Sequence, residues 1–282
     1  MVRIEASPEL IKTHTDAVLN RVKTMGKEQE ALAEVQKLGA DSIVAFLSAD
    51  IQLMWDWVNN KPLDLQFTLF KEIYSRFFSN GPKKYVDRDY NAYKYLAELG
   101  ISVCPYCDDE YLDTVKINDR KRRTSEIDHF FPKKKYPALA MCFYNLTPSG
   151  QSCNRLKLEL EIGMSPYESD IEEMSFLYPD IPVGAALESL KPDDCKIQFH
   201  AQRGMLKNVS ALALEQRYKR HAPEAHRLLT RLQLYNEEKI EELVKLGFGT
   251  REQIISSNFG PQDPLEKKNA LRQKMLRDLT GY

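Results

Sequence analysis

The sequence has no apolar run as long as the roughly 18 residues that a membrane-spanning helix requires. Its first residues, Met1-Val2-Arg3-Ile4-Glu5, lack the apolar stretch and the small residues of a secretory signal. Internal repeats, low-complexity tracts and long flexible linkers are also missing. These absences exclude a membrane-spanning or repeat protein. We therefore expect a cytoplasmic protein that has no membrane partner.

Cysteine is scarce, with 5 among 282 residues, and the number is odd. An odd set in a reducing compartment does not form a disulfide framework, and the spacing of Cys104 and Cys107 favours metal ligation or redox chemistry instead. A thioredoxin-like redox motif requires a surrounding βαβ pattern, which the sequence does not show. Metal ligation is therefore the stronger hypothesis for this pair.

The chain has no excess of either charge, because 40 lysines and arginines against 41 aspartates and glutamates give a net charge of −1. Such a balance argues against a nucleic-acid partner, since phosphate binding depends on cationic side chains. The positions of the charged residues along the chain outweigh this argument from net charge. A local excess between residues 116 and 135 could hold a phosphate backbone, and a solvated basic loop is the alternative. Its eight basic residues are Lys116, Arg120, Lys121, Arg122, Arg123, Lys133, Lys134 and Lys135.

Helical periodicity dominates residues 1–100. Ser7 followed by Pro8 is typical of a helix start, because serine caps the first turn and proline fits its first position. Apolar residues at steps of three and four predict further helices, one of them over Leu63 to Phe78. The first part of the chain is therefore predicted to be all helical.

Residues 166–282 also predict mostly helices, including Asn208 to Arg220 and Pro264 to Leu279. Thr250 with Gln253 matches the reciprocal capping pattern that precedes a helix. Asp194 to Ala201 alternates polar and apolar residues and predicts one strand, whose partner the pattern does not reveal.

The residue types that do chemistry gather in the middle of the chain. His129 can take a proton from water, because imidazole titrates near neutrality. Asp128 beside it offers a hard carboxylate oxygen for Mg²⁺ or Mn²⁺, and Asn154 offers an amide oxygen that could complete the shell. Asn145 could fix the imidazole through a hydrogen bond to a backbone or ring atom. Hydrolysis of a phosphodiester requires this minimum of one base and one metal site.

Four segments in this order resemble the signature of the HNH endonucleases, which are ββα-metal nucleases that often carry a CxxC…CxxC zinc knuckle. They are CPYC at 104–107, EIDHFFP at 126–132, YNL at 144–146 and SCNRLK at 152–157. The resemblance implies a mainly α protein with a small treble-clef-like ββα-metal module inserted between helical regions. The implied regions are 1–100 helical, 101–165 the nuclease module and 166–282 mostly helical.

The same resemblance implies a role for each polar residue of the module. Asp128 corresponds to a metal ligand, His129 to the general base, Asn145 to the residue that orients this base, and Asn154 to the second metal ligand. It implies a metal-dependent endonuclease that hydrolyses DNA or RNA with Mg²⁺ or Mn²⁺. The alternatives are a catalytically inactive nuclease fold that binds nucleic acid or acts as a scaffold, and a zinc-dependent interaction module.

The zinc knuckle departs from the family pattern at one position. Cys104, Cys107 and Cys153 occupy knuckle positions, but Gly150 replaces the fourth cysteine. Structural zinc is almost always held by four protein ligands, so zinc is either completed by Cys142, held by three thiolates and a water, or absent. The sequence leaves these alternatives open.

Two partners follow from the pattern. Nucleic acid is expected at the basic residues, which are Arg120, Lys121, Arg122, Arg123, Lys133, Lys134, Lys135, Arg155 and Lys157. Within the HNH family, CPYC with DHFFPKKKYPALA and YNL resembles the HNH subunit of Septu-type bacterial anti-phage systems. That likeness implies a defence effector that works beside an SMC-like ATPase.

Overall fold

The computed structural model describes residues 1–60, 66–79, 90–118, 120–182 and 184–282. The first hundred residues are helical where described, as the periodicity predicted. The start of the predicted helix at Leu63 lies outside the described residues, and its described part is α5 with a π-helical turn at Tyr74–Phe78. The helices of this part are α1 (Pro8–Thr24), α2 (Glu28–Lys37), α3 (Ile43–Leu47), α4 (Ile51–Asn60), α5 (Leu69–Ile73) and α6 (Ala92–Leu99).

Helix α1 begins as predicted. The Ser7 hydroxyl accepts a hydrogen bond from the amide of Leu10 at 3.1 Å, and Pro8 occupies the first helical turn. The serine thereby satisfies an amide that has no partner inside the helix. One face of α1 is buried in the core, and it carries His14 among apolar residues.

The middle of the chain forms two antiparallel hairpins and a short helix. β1 (Thr114–Ile117) pairs with β2 (Arg120–Arg123), and β3 (Glu126–His129) pairs with β4 (Leu146–Ser149). Helix α7 (Gln151–Lys157) follows β4 directly. The order strand, strand, helix is therefore present. Short 3₁₀ turns at Pro137–Met141 and Phe143–Asn145 lie in the connection between β3 and β4.

The predicted strand near the C-terminal region finds its partner in the structure. β6 (Lys196–Ala201) pairs antiparallel with β5 (Ser175–Asp180). Pro179 lies inside β5, and a proline cannot donate to a strand ladder, which is why the segment did not read as a strand. The helices that follow β6 are α8 (Arg203–Ala211), α9 (Leu214–Tyr218), α10 (Ala222–Leu234), α11 (Glu237–Lys245), α12 (Arg251–Phe259), α13 (Pro264–Lys267) and α14 (Gln273–Thr280).

Two predicted helices of this part are interrupted, so their predicted continuity is wrong. Ala213 has φ +48° between α8 and α9, and Arg272 has φ +57° between α13 and α14. Left-handed backbone ends a right-handed helix. Tertiary contacts hold the second break, because the Arg272 amide donates to the Asp108 carbonyl at 2.6 Å and its guanidinium bonds Glu224 at 2.8 Å. The capping box of Thr250 with Gln253 is confirmed at α12.

One apolar core joins the N-terminal helices to the central hairpin. It contains Phe46 and Trp57 from the helices together with Phe130, Phe143 and Leu146 from the middle of the chain. Two smaller clusters lie under the C-terminal helices. Among the described residues, no helix has both the length and the apolar composition to cross a membrane.

Candidate active site

A cavity of about 1250 Å³ opens beside β3 and α7. Three of the four predicted catalytic residues line it, namely Asp128, His129 and Asn154. The fourth, Asn145, is fully buried behind the wall. The structure therefore brings the predicted oxygen ligands and the predicted base to one surface.

The strand geometry explains this placement. Side chains two apart on a strand share a face, so Glu126 and Asp128 both point toward α7. There they contact Asn154 and Lys157, which lie about one helical turn apart. β3 ends at His129, which lines the same cavity as Asp128 although adjacent side chains of a regular strand point to opposite faces.

Asp128 is buried and held by two donors. The Tyr106 hydroxyl donates to its Oδ2 at 2.7 Å, and the Lys157 ammonium lies 3.0 Å from the same oxygen. Burial raises the pKa of Asp128, and the charge of Lys157 and the Tyr106 hydrogen bond oppose that rise. The Lys157 ammonium also donates to Oδ1, at 3.3 Å. An ionised carboxylate has about four acceptor positions, so Oδ1 can still accept a further partner.

The predicted role of Lys157 is wrong. It was expected to contact nucleic acid, but its side chain is fully buried and donates to the His129 carbonyl at 2.7 Å as well as pairing with Asp128. A buried ammonium needs such a counter-ion, because a buried unpaired charge is very costly. Its role is to balance Asp128 and to fix the end of β3.

His129 is buried in a neutral form with one open nitrogen. Its Nε2 lies 3.1 Å from the Ala140 carbonyl, which only accepts, so Nε2 carries the proton and Nδ1 keeps its lone pair. Nδ1 has no hydrogen-bond partner among the described residues. Burial lowers the pKa of His129 well below its usual value, and nearby Lys133 lowers it further. The ring of Tyr74 contacts the imidazole edge-on, with centroids 4.4 Å apart.

Asn145 positions His129 through the backbone. Its Oδ1 accepts from the Phe131 amide at 2.7 Å, and its Nδ2 donates to the Leu139 carbonyl at 2.8 Å. The next carbonyl, that of Ala140, is the one that holds the imidazole. Asn145 therefore fixes the connection that orients the ring and does not bond the ring itself.

Glu126 is a site residue that sequence reasoning missed. Its Oε2 accepts a hydrogen bond from the Asn154 amide nitrogen, and both side chains line the cavity. The amide oxygen of Asn154 has no partner in the described part of the chain. The signal that could have found Glu126 is its position two residues before Asp128 on a strand, which places both carboxylates on one face.

The predicted basic residues do not all reach the cavity. Arg122, Arg123, Lys133 and Lys134 line it, and the Lys133 ammonium lies 4.8 Å from the centre of the Tyr74 ring. Lys121 and Arg155 are exposed but stand outside the cavity wall. The side chain of Arg120 lies outside the described part of the structure.

Two lysines of the basic set are paired with acids. Lys134 forms an ion pair with Glu159 at 2.7 Å, and Lys135 forms one with Glu161 at 2.6 Å. These pairs are exposed and therefore weak, so a phosphate can displace them. They reduce the positive charge that the sequence count suggested for this surface.

A second site includes Cys153 of α7 and two cysteines that precede β1. The sulfurs of Cys104, Cys107 and Cys153 all lie within 4.8 Å of one another and are buried, and this cluster can hold a metal ion. Within the described residues, it is the only group of three or more histidine, cysteine or acidic side chains with this spacing. Cys142 lies elsewhere in the core, with its thiol 3.5 Å from the Phe46 carbonyl, so the alternative of Cys142 as fourth ligand is wrong.

Comparison of the chain with family models, with curated proteins and with solved structures gives no match. We therefore infer a function from the residue pattern and from the geometry of the two sites. The cavity gathers oxygen donors and a neutral imidazole, whereas the cluster gathers sulfur donors. Hard cations prefer the first set and zinc-like cations the second.

Proposed function

We propose that the protein is a metal-dependent HNH-type endonuclease that hydrolyses phosphodiester bonds in DNA or RNA. The single observation that carries the proposal is the cavity wall, where Asp128, Asn154 and His129 lie together, with Nδ1 of His129 unpaired among the described residues. An oxygen-donor set beside a neutral imidazole is the minimum for activating water against a phosphate. The ββα order of β3, β4 and α7 supports the same proposal.

The donor chemistry fits Mg²⁺ or Mn²⁺. Asp128 and Asn154 would hold the ion, and Glu126 lies beside Asn154 as a further carboxylate. These are the oxygen ligands that hard cations prefer. When bound, the ion neutralises the charge that develops on the phosphate and on the leaving oxygen.

The protein's own groups supply the proton transfer and the positioning. Nδ1 of His129 accepts the proton of the attacking water, and the Ala140 carbonyl keeps the imidazole in the required tautomer. Asn145 holds the segment that carries this carbonyl. The Lys157 ammonium lies 3.0 Å from Asp128, and its charge favours the ionised carboxylate against the effect of burial.

The charge of the cavity wall suits a polyanionic substrate. Basic side chains outnumber acidic ones among the described lining residues, so the surface attracts phosphates and its affinity falls with salt. The basic lining residues are Lys71, Arg122, Arg123, Lys133 and Lys134, against Glu126, Asp128 and Glu159.

The experiment is cleavage of plasmid DNA and of transfer RNA by purified protein with Mg²⁺ or Mn²⁺. The His129→Ala variant is expected to lose about 10²- to 10⁴-fold in rate, which is the usual contribution of a general base. His200→Ala is the matched control, because His200 is exposed on β6. Equal cleavage by His129→Ala and the unsubstituted protein would overturn the assignment of the base.

One observation favours a second candidate, a nuclease fold that binds nucleic acid without cutting it. The Lys157 ammonium already balances the charge of Asp128, and a balanced carboxylate attracts a cation less strongly. This candidate predicts salt-dependent binding of DNA or RNA and no cleavage with either cation. The cleavage experiment therefore separates the two candidates.

The resemblance to the Septu-type subunits supports a proposal about partners. We propose that an SMC-like ATPase regulates the cutting and that the pair acts in bacterial defence. The test is a search for an SMC-like ATPase gene beside the gene of this chain, followed by co-purification of the two proteins and cleavage assays with and without ATP. An isolated chain with full activity and no adjacent ATPase would count against this proposal.

A further inference from the structure

The three-cysteine cluster is one ligand short of a closed tetrahedral zinc site. In the family pattern a cysteine would stand at position 150, but the residue there is Gly150. A replacement ligand would have to reach the space that a side chain at position 150 would fill.

That space is occupied by the carboxylate of Glu110. A Cβ built on Gly150 would lie 2.3 Å from Oε2 and 2.8 Å from Oε1 of Glu110. These distances are far below van der Waals contact, so the carboxylate and a side chain at position 150 exclude each other. The absence of a side chain at Gly150 leaves room for the Glu110 carboxylate.

Glu110 is tied to the cluster by its backbone. The Cys104 amide donates to the Glu110 carbonyl at 2.9 Å, and Val103 forms a β-bridge with Tyr111. The backbone of Gly150 hydrogen-bonds the Cys104 sulfur. Glu110, Gly150 and Cys104 therefore form one contact chain that leads from the carboxylate to the thiols.

The Glu110 carboxylate also has an unsatisfied oxygen. Oε2 of Glu110 is buried and has no hydrogen-bond partner among the described residues. A buried carboxylate oxygen without a donor or cation is costly, and native proteins rarely leave one unpaired. A metal ion between Glu110 and the thiols would satisfy it.

Arg217 completes the charge balance. Its Nη1 lies 3.1 Å from the Cys153 sulfur. A guanidinium has no lone pair for a metal, so Arg217 cannot be the missing ligand. Three thiolates and one carboxylate around Zn²⁺ carry a net charge of −2, and a neighbouring cation stabilises such a buried site. Neutral thiols would offer Arg217 no such attraction.

We propose that Cys104, Cys107, Cys153 and Glu110 hold one Zn²⁺ ion, with Arg217 as the cation that stabilises the thiolates. The Glu110 carboxylate does not belong to the group whose ligand atoms all lie within 4.8 Å of one another, so zinc binding requires this side chain to turn toward the thiols. Zinc accepts carboxylate oxygen as well as cysteine sulfur, and closed sites of four protein ligands are structural. The site is separate from the candidate active site and stabilises the turn at 104–110 against the start of α7. The carboxylate takes the place of the fourth knuckle cysteine.

The first test is the metal content of the purified full chain. Elemental analysis is expected to give one zinc per chain, and X-ray absorption at the zinc edge is expected to show three sulfur ligands and one oxygen ligand. These measurements need no variant, so they remain decisive if a variant fails to fold. A chain without stoichiometric zinc, or a site of four sulfurs, overturns the proposal.

The second test compares matched carboxylate variants. Glu110→Gln is expected to lower zinc affinity at least about 10-fold, because loss of even an outer-shell partner has that effect. Glu188→Gln changes an exposed glutamate and should leave the affinity unchanged. Affinity is measured by competition with a chromophoric chelator, and circular dichroism confirms the fold. Equal affinities for the two variants would show that a water molecule, not Glu110, completes the shell.

The third test restores the family pattern. The double variant Glu110→Ala with Gly150→Cys is expected to regain the lost affinity, whereas Gly150→Cys alone meets the carboxylate. In the cobalt-substituted proteins, the thiolate charge-transfer band should grow by about a third in the double variant, because the number of thiolates rises from three to four. No growth and no recovery would contradict the proposed position of Glu110. None of these readouts depends on cleavage, so the outcome is independent of the proposed nuclease activity.

Discussion

Two buried histidines contact the same short segment of backbone in different surroundings. In the helical core, His14 has its Nε2 2.8 Å from the Met141 carbonyl and its Nδ1 3.1 Å from the Tyr90 hydroxyl. At the cavity wall, His129 has its Nε2 3.1 Å from the preceding carbonyl, that of Ala140, and its Nδ1 has no partner among the described residues.

The difference between them lies in the second nitrogen. Both rings are almost fully buried, and burial lowers the pKa of both, so both are neutral near pH 7. His14 forms hydrogen bonds with both nitrogens, whereas His129, a residue of the cavity wall, forms one and keeps Nδ1 unpaired among the described residues. Burial and pKa thus do not distinguish a structural histidine from a candidate base. The number of ring nitrogens that have a hydrogen-bond partner does distinguish them.

Replacing each histidine with glutamine is expected to produce the largest difference between the two sites. His129→Gln can keep the bond to the Ala140 carbonyl but offers no base, so we expect a loss of about 10²- to 10⁴-fold in cleavage with little change in melting temperature. His14→Gln should lower the melting temperature. Its cleavage rate should equal that of the unsubstituted protein when both are assayed well below their melting temperatures. Rates and melting curves of both variants check this prediction. Similar losses of rate in both would mean that His129 acts only through the fold.

The second prediction concerns the ion pair behind His129. Lys157→Met leaves Asp128 buried without its counter-ion, and breaking a buried pair costs about 3–5 kcal/mol of unfolding free energy. The double variant Asp128→Asn with Lys157→Met removes both charges and should recover most of that loss. Urea unfolding of the two variants and of Asp128→Asn measures the coupling.

The same double variant sharpens the assignment of Asp128. A protein that is stable again but does not cleave would show that the carboxylate is needed for chemistry beyond its contribution to the fold. Cleavage at the unsubstituted rate by the stable double variant would exclude Asp128 as the metal ligand. Lys274→Met, which removes the lysine of another buried pair with Asp278, is the control for the general cost of losing a buried ammonium.

The third prediction is the pH dependence that His14 confers. Burial lowers its pKa to about 4 in the folded protein, against 6.5 for an exposed histidine. The unfolded chain therefore binds a proton below pH 6.5 that the folded chain refuses until about pH 4. The stability that His14 provides is complete above pH 6.5 and is lost as the pH falls to 4, by about 3 kcal/mol in all.

A His14→Gln variant should flatten this part of the profile. Its unfolding free energy is expected to start lower at pH 7 and to fall less between pH 6.5 and 4 than that of the unsubstituted protein. His200→Gln, at an exposed position, should leave the slope unchanged. Equal slopes for His14→Gln and the unsubstituted protein would show that other groups govern the acid sensitivity.

The sequence was sufficient for the features that depend on local order. The alternation of Asp194 to Ala201 placed β6, and the capping residues placed the starts of α1 and α12. These features involve residues within a few positions of one another. Their physical causes, strand alternation and capping hydrogen bonds, are visible without the fold.

The features that sequence reasoning missed depend on contacts between distant residues. A lysine near the end of a short helix is usually exposed, and only the fold shows that Asp128 buries Lys157. Glu110 and Gly150 are 40 positions apart, and the space that one leaves for the other appears only in three dimensions. The same holds for Arg272, whose left-handed backbone is fixed by contacts with residues far along the chain.

The smallest expected effect concerns the rim of the cavity. Arg122 lines the cavity, is exposed and has no ion-pair partner in the described residues, so it is free to contact a phosphate. Each phosphate contact contributes about 0.9 to the slope of log affinity against log salt, so Arg122→Ala should reduce that slope by about 0.9 and weaken binding equally for all sequences. Arg155→Ala is the control, because Arg155 is exposed outside the wall and should keep the full slope. A slope reduced by Arg155→Ala and not by Arg122→Ala would place the nucleic acid on α7 instead of across the cavity, away from His129.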